Sequence, residues 1–330
     1  MEISFSTEMM SINILLFIVG LVILIKGSDW FVEAAAQIAR NYNIPEIIIG
    51  LTLVSIGTSL PELATDIYAS LNGEGDIVTG VVAGSNITNI TLVLGVGIIM
   101  MKQISTPKNL IKRDIFFMLG IFILLLLFGQ VNLDGYDGIS RIEGGILLTL
   151  VIVYFIYLFK NRASLEDELA GDEHNEHKFS SSLQAWIFMA IGMTLIVLGA
   201  KTMVDNAIWT ADKFNLSKAL IAATVVAFGT SVPELAVTIT SVIKKRHDMA
   251  LGNIIGSSIF NIILIIGVCA SINPIKVGAE MNNVIIPIMV GTGLMLAVFM
   301  RTSWKLVRWE GVVLLSTYVG FIIYNVVKIG

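Results

Sequence analysis

Apolar residues along this chain come in long runs and not in the strict alternation of strands, and the runs are separated by short polar connections. Ten runs stand out, at 11–36, 44–71, 77–101, 115–130, 144–159, 183–209, 220–243, 249–272, 284–300 and 311–327. Most reach the roughly 20 residues that a helix needs to cross a bilayer. The fourth and fifth are short for a full crossing, so they are expected to extend into flanking polar residues or to sit in thinned bilayer. The first ten residues carry Glu2 and Glu8 but no Lys or Arg, the reverse of a basic signal-peptide start, so the first run reads as a retained helix.

Composition narrows the classes. The 330 residues are 55% hydrophobic and 14% charged, against roughly a quarter charged in a soluble domain. With 21 Lys plus Arg and 25 Asp plus Glu, the balance is too mild and too mixed for a nucleic-acid partner. A single cysteine, Cys269, leaves no internal disulfide framework and no Cys-rich metal site. Lys and Arg concentrate in alternate connections, around Arg40 and at 102–113, 160–178, 244–246 and 301–308. By the positive-inside tendency that side is cytoplasmic, which puts both termini outside and the acidic segment 161–182 inside. Within it, 164–178 holds six carboxylates with His174 and His177, and reads as a solvated linker more readily than as a regulatory cation site.

The chain also repeats itself. Residues 20–97 align with 192–269 without a gap, with about a third of positions identical. Five spans separate matching points, an odd number, so the second copy is expected to run inverted through the membrane. The fold class that follows is an all-α integral membrane protein of ten transmembrane helices in two inverted five-helix halves, 1–160 and 183–330. Transporters built this way bind their cargo at the repeat interface near the midplane.

Identity between the copies gathers in two places. Gly57-Thr58-Ser59-Leu60-Pro61-Glu62-Leu63-Ala64 is matched by Gly229-Thr230-Ser231-Val232-Pro233-Glu234-Leu235-Ala236. A proline has no N–H to give the carbonyl four residues back, and the glycine there makes unwinding cheap, so helices two and seven are expected to break in mid-membrane. Such a break must be buried in protein or line a polar cavity. It would offer carbonyls beside Thr and Ser hydroxyls and a Glu carboxylate, an oxygen set suited to Na⁺ and Ca²⁺. The second place is Gly84-Ser85-Asn86-Ile87-Thr88-Asn89, matched by Gly256-Ser257-Ser258-Ile259-Phe260-Asn261. Ser85 and Asn89, like Ser257 and Asn261, are four apart and share a helix face. Proline kinks and small-residue packing are common in membrane helices. A mid-membrane Glu nevertheless costs about 2.5–3.5 kcal/mol, and two in matched positions point to function.

At these residues the sequence resembles the calcium/cation antiporter superfamily, and within it the prokaryotic sodium/calcium exchangers. The resemblance implies exchange of Ca²⁺ for Na⁺ by alternating access, without enzymatic activity or cofactor, by a monomer whose partners are inorganic cations and membrane lipid. It implies acidic ligands at Glu62 and Glu234, and hydroxyl ligands at Thr58, Ser59, Ser85, Thr230, Ser231 and Ser257. It further implies unwound carbonyls at Ser55 and Ala227, and amide or acid positions at Asn89 and Asn261. Three departures stand out. The first copy reads Gly80-Val81 where the second keeps Gly252-Asn253. Asn261 stands where potassium-dependent exchangers carry Asp, which implies K⁺ independence. Asp66 replaces the small or apolar residue usual one turn after the motif Glu.

A proton-coupled Ca²⁺ antiporter would use the same Glu pair, but the Thr and Ser hydroxyls exceed what a proton needs. All three His lie in connections, and no HExxH or catalytic dyad lies in the spans, which argues against an intramembrane enzyme. Lys26, Asp29 and Glu33 share a face of the first helix and are expected to neutralise one another.

Overall fold

The computed structural model describes residues 2–101, 103–106, 108–131, 136, 138–160, 181–213, 227–302 and 304–329. Among these the chain is helical apart from one short antiparallel ribbon. Helix α1 is Glu2–Asn41; α2, Glu46–Thr58, is followed by α3, Leu60–Leu71. Then come α4, Gly75–Met101; α5, Phe116–Phe128; and α6, Arg141–Lys160. The second half holds α7, Ser182–Lys213; α8, Ala227–Thr230; and α9, Val232–Ile243. It closes with α10, His247–Ile272, α11, Met281–Thr302, and α12, Arg308–Ile329. The ribbon pairs Gln103–Ser105 with Lys305–Val307, Gln103 opposite Val307.

Seven described helices are long and apolar enough to cross a membrane, and eight if the bent pair α2–α3 counts as one span. The fourth expected span contains only the 13-residue α5, preceded by a π-helical turn, Ile111–Ile115, that carries Lys112, Arg113 and Asp114. It extends into polar residues, as its length requires. The fifth does the same, since α6 starts at Arg141 and ends at Lys160. A capping box opens it: Ser140 N donates to Glu143 Oε2 at 2.7 Å and Glu143 N to Ser140 Oγ at 3.4 Å. The seventh span and the linker 161–182 lie in part outside the described residues.

At 40 residues α1 is about 60 Å long, twice the hydrocarbon thickness, and α7 has 32 residues. These two helices form a close pair. A Cβ added at Gly20 would sit 2.9 Å from the Gly199 carbonyl oxygen, and one at Gly27 would sit 2.8 Å from that of Gly192. Position 20 faces 199 and 27 faces 192, so the pair is antiparallel, and the four glycines are two matched pairs of the sequence repeat. Only residues without side chains let the backbones approach this closely. The pair shares an apolar cluster with one face of α2 and α9, including Phe31, Val54, Ile196 and Val237. A second, larger cluster joins α4, α5, α6, α10 and α11.

Two charge readings change. Asp29 and Glu33 do not rely on Lys26, which is exposed. Their partners come from beyond the end of α9: Lys244 Nζ is 2.6 Å from Asp29 and 2.7 Å from Glu33. Arg246 reaches Glu33 at 3.4 Å and also Glu46 at the start of α2. The network ties α1 to both broken-helix ends on that side. Arg113, counted above as a loop charge, is buried in a helix. Its Nη2 is 2.6 Å from Asp114 Oδ2, and Tyr154 OH donates to Asp114 Oδ1 at 2.9 Å.

Two outcomes are expected. Arg246→Ala leaves Glu33 and Glu46 short of a cation in a half-buried place and should lower stability by about 2 kcal/mol, read as a lower melting temperature in detergent; an unchanged melting temperature contradicts the network. Gly192→Ala places a Cβ 2.7 Å from the Phe31 backbone nitrogen and should cost about 1–3 kcal/mol by overpacking. In the same melting measurement Gly320→Ala, with no heavy atom of the described residues within 4 Å, should be silent.

Candidate cation site

The two motif helices break in the same way. Ser59, between α2 and α3, has φ −86° and ψ 4°; Ser231, between α8 and α9, has φ −91° and ψ 4°. In each case the proline follows at the second residue of the next helix, where its missing N–H leaves no helical bond unmade. The axes of α2 and α3 differ by 47°. Because the break comes three residues before each Glu, Glu62 and Glu234 both lie in the first turn of the outgoing helix, where the dipole favours negative charge.

The helices that carry the second motif are also irregular, and at the expected residues. A π-helical turn runs Asn89–Val93 in α4 and another runs Asn261–Ile266 in α10. Each begins on the amide in question. A π turn widens the helix by one residue and turns a side chain away from the regular face, and such turns gather at functional sites.

The copies then interleave. The α10 helix packs on α2, and α4 packs on α8. Cβ atoms added at Gly252 or Gly256 would come within 2.5 Å of Ile47 O or 2.6 Å of Leu51 O, so contact between α10 and α2 requires glycine there. Thr58 Oγ1 lies 3.5 Å from Ser257 Oγ, and the matching pair, Thr230 Oγ1 and Ser85 Oγ, lies 3.4 Å apart. Ser59 Oγ donates across the interface to Glu234 Oε1 at 3.3 Å. The carbonyl oxygen of Ser55 is the shared acceptor of the first break, 3.1 Å from Ser59 N, 3.2 Å from Thr58 Oγ1 and 3.4 Å from Ser257 Oγ. Ala227 is the first residue of α8, the position in the second copy that matches Ser55.

Burial is nearly complete. Glu62 is 2% exposed and Glu234 1%; Ser85, Ser231, Ser257, Asn89 and Asn261 are buried with them. Yet among the described residues the Oε2 atoms of both Glu, Ser231 Oγ, Asn261 Oδ1 and both amide atoms of Asn89 have no hydrogen-bond partner. Buried polar atoms without partners are few in native proteins and cost about 1–3 kcal/mol each. Here several converge, and most are oxygen acceptors. A bound cation satisfies such a set; carboxylate, hydroxyl, amide and carbonyl oxygens suit hard, weakly held ions and offer no thiolate or imidazole to a transition metal.

Two further amides, to which the sequence assigned no ligand role, position the groups of this region. Asn253 accepts from Thr58 through Oδ1 at 3.2 Å and donates to Thr238 Oγ1 at 3.3 Å. Asn86 Oδ1 accepts from Asn261 Nδ2 at 3.2 Å and so fixes the orientation of that amide. Asn86 has no amide counterpart in the second copy, where Ser258 stands, so repeat identity could not reveal it; an Asn inside an apolar run was the available sign.

Comparison with known proteins agrees with this architecture. The model of the sodium/calcium exchanger protein family matches residues 12–160 and again 184–327, once in each half. The sodium/calcium exchanger MaX1 of Methanosarcina acetivorans is 34% identical over 347 residues, covering 96% of this chain and 99% of that protein. The uncharacterized membrane protein MJ0091 of Methanocaldococcus jannaschii is 37% identical, over 92% of this chain and 94% of its own length. Among solved structures, the sodium-calcium exchanger NCX_Mj soaked with 2.5 mM Na⁺ and 10 mM Sr²⁺ superposes with a TM-score of 0.80 at 34% identity, over 95% of this chain and 99% of that one. With multiple apolar helices and two copies of the family's pattern, this chain is a multi-pass membrane transporter of the sodium/calcium exchanger family.

Proposed function

We propose that this chain is a secondary active antiporter that exchanges Ca²⁺ for Na⁺ by alternating access, without a requirement for K⁺. The observation that carries the reading is the pair Glu62 and Glu234, buried, each with an oxygen that no donor of the described residues meets, among hydroxyls from both copies. In this reading the ligands are Glu62, Glu234, Thr58, Ser59, Thr230, Ser231, Ser85, Ser257, Asn89 and Asn261, with the backbone at Ser55 and Ala227. Family membership and the names of the relatives MaX1 and NCX_Mj support the choice of ions.

Charge arithmetic explains why exchange is obligatory. Two carboxylates facing one Ca²⁺ are neutral, and facing two or three Na⁺ they are neutral or singly positive. Either load is tolerable in a low-dielectric centre. Two bare carboxylates are not, because the desolvation of each costs several kcal/mol, so the unloaded protein resists passage through an occluded state. Asn261 adds no third charge in the centre, which favours K⁺ independence. A proton-coupled Ca²⁺ antiporter is the second reading. The hydroxyl pairs Thr58 with Ser257 and Thr230 with Ser85 favour Na⁺, since a proton needs a single acceptor.

The proposed architecture is ten transmembrane helices in two inverted halves, 1–160 and 183–330, joined by the cytoplasmic linker 161–182, with helices two and seven broken and both termini outside. The antiparallel crossing of α1 and α7 through matched glycines supports it. So does the matched geometry at Ser59 and Ser231. In this reading the α1–α7 pair, packed on α2 and α9 through a cluster separate from the larger core, is the element that shifts against the rest.

The test is ⁴⁵Ca²⁺ uptake into proteoliposomes loaded with Na⁺, K⁺ or acid in separate runs. Uptake should follow the Na⁺ gradient at fixed pH and ignore K⁺. Glu62→Gln or Glu234→Gln should reduce it by roughly two orders of magnitude or more, since truncating one partner of a buried charged contact costs about 2–5 kcal/mol. Near-normal uptake by either Gln variant, or uptake driven by the pH gradient alone, would sink the proposal.

A further inference from the structure

The two copies differ at one linked pair of positions beside the site. A relay runs from Thr58 Oγ1 of the first copy to Asn253 Oδ1 of the second at 3.2 Å, and from Asn253 Nδ2 to Thr238 Oγ1 at 3.3 Å. Asn253 joins the hydroxyl at the break to a hydroxyl one helical turn beyond the motif Glu. The residues matched to these by the repeat are Thr230, Val81 and Asp66. The valine side chain has no N–H to give, while Thr230 keeps the matched contact to Ser85. The partner the relay would have supplied is missing where the residue has become a carboxylate.

Asp66 is 1% exposed, and its Oδ2 has no hydrogen-bond partner among the described residues. It lies four residues after Glu62 on the buried face of α3, about 6 Å along the axis, so the two carboxylates repel. Its surroundings are α4 and the end of α10 that carries Cys269. There Ser70 Oγ donates to the Cys269 carbonyl at 2.8 Å and not to Asp66. No Lys or Arg ion pair reaches Asp66 among the described residues. A carboxylate this buried, with one oxygen unmet and no counter-charge among the described residues, calls for positive charge from outside the chain.

We infer that Asp66 anchors an additional monovalent-cation subsite, one helical turn beyond Glu62, where a cation takes the place held in the second copy by the Asn253 amide. The inference rests on the reading of Glu62 and Glu234 as cation ligands and deepens it. With Asp66 the region holds three acids, so it takes up one more monovalent ion than the Glu pair alone. Val81, smaller in reach than Asn and apolar, leaves the carboxylate for the ion and does not compete for it. Na⁺ is the ion expected, because it is the monovalent partner in the proposed exchange.

Three chains test this: the wild type, Asp66→Asn, and the double variant Asp66→Thr with Val81→Asn, which rebuilds the second copy's relay and so guards against loss of fold. Equilibrium ²²Na⁺ binding to protein in detergent should show one Na⁺ fewer per chain in both variants. In proteoliposomes the Na⁺ concentration for half-maximal ⁴⁵Ca²⁺ exchange should rise about tenfold, the loss of one charged contact, with the Ca²⁺ requirement within about twofold of wild type. Unchanged Na⁺ stoichiometry and Na⁺ dependence in the folded double variant overturn the inference. So does a defect seen only at acidic pH, which assigns the carboxylate a proton. Failure of the exchange reading looks different: wild-type protein then takes up no ⁴⁵Ca²⁺ at any Na⁺ load, while ²²Na⁺ binding still reports on Asp66.

Discussion

Carboxylates shut away from water must be matched by positive charge, and the arrangement of this protein follows from where that charge comes from. Elsewhere in the molecule the chain supplies the partner itself. Asp114 is met by Arg113 and Tyr154, Glu143 and Glu310 by backbone N–H groups at the starts of their helices, and Asp29 and Glu33 by Lys244 and Arg246. Glu62, Glu234 and Asp66 are as buried, yet among the described residues none of them is paired with a Lys or Arg and each keeps an unmatched oxygen. A transporter whose own cations neutralised these groups would have no reason to bind a cargo ion, and one that left them bare would be penalised by several kcal/mol for each. Cation exchange resolves both demands, because one ion leaves only as another takes its place.

The backbone is arranged around the same constraint. Proline at the second position of α3 and of α9 ends one helix and starts the next, which sets each Glu in a first turn and exposes the hydroxyls before it to the partner copy. Glycines at 252 and 256 then let α10 approach the broken helix of the other copy at van der Waals limits. Neither half builds the site alone: Ser59 reaches Glu234, and Ser257 reaches the Ser55 carbonyl. A site shared in this way is strained or released by any relative motion of the halves, the physical requirement for alternating access. The long α1–α7 pair is joined to both broken helices on its apolar side, and is pinned at one end by the Lys244 and Arg246 network.

Much of this is legible in the sequence, because the repetition of residues 20–97 at 192–269 and the doubled motif mark positions that packing alone would not preserve twice. The breaks at Ser59 and Ser231 and the paired Ser and Asn of the second motif could be read from proline chemistry and helical spacing. What escaped were contacts across long sequence separations. Nothing near Asp29 announces that its partner is Lys244, and the local spacing favoured Lys26 instead. Arg113 looked like a loop charge because its neutralising neighbours, Asp114 and Tyr154, become visible only when the helices pack. The π turns at Asn89 and Asn261 have no propensity signature, since the same residues fit an α-helix equally well. The relay through Asn253 and Thr238 was hidden for the opposite reason: the two copies differ there, and repetition reports only what they share.

The central claim is that Ca²⁺ and Na⁺ compete for one set of buried oxygens. Equilibrium binding of ⁴⁵Ca²⁺ to the purified protein, measured across a series of Na⁺ concentrations at constant ionic strength and pH, addresses it without a membrane or a gradient. The account predicts full displacement of Ca²⁺ by Na⁺ with a Hill coefficient above one, as more than one Na⁺ replaces each divalent ion. Ca²⁺ binding that is indifferent to Na⁺ would contradict it.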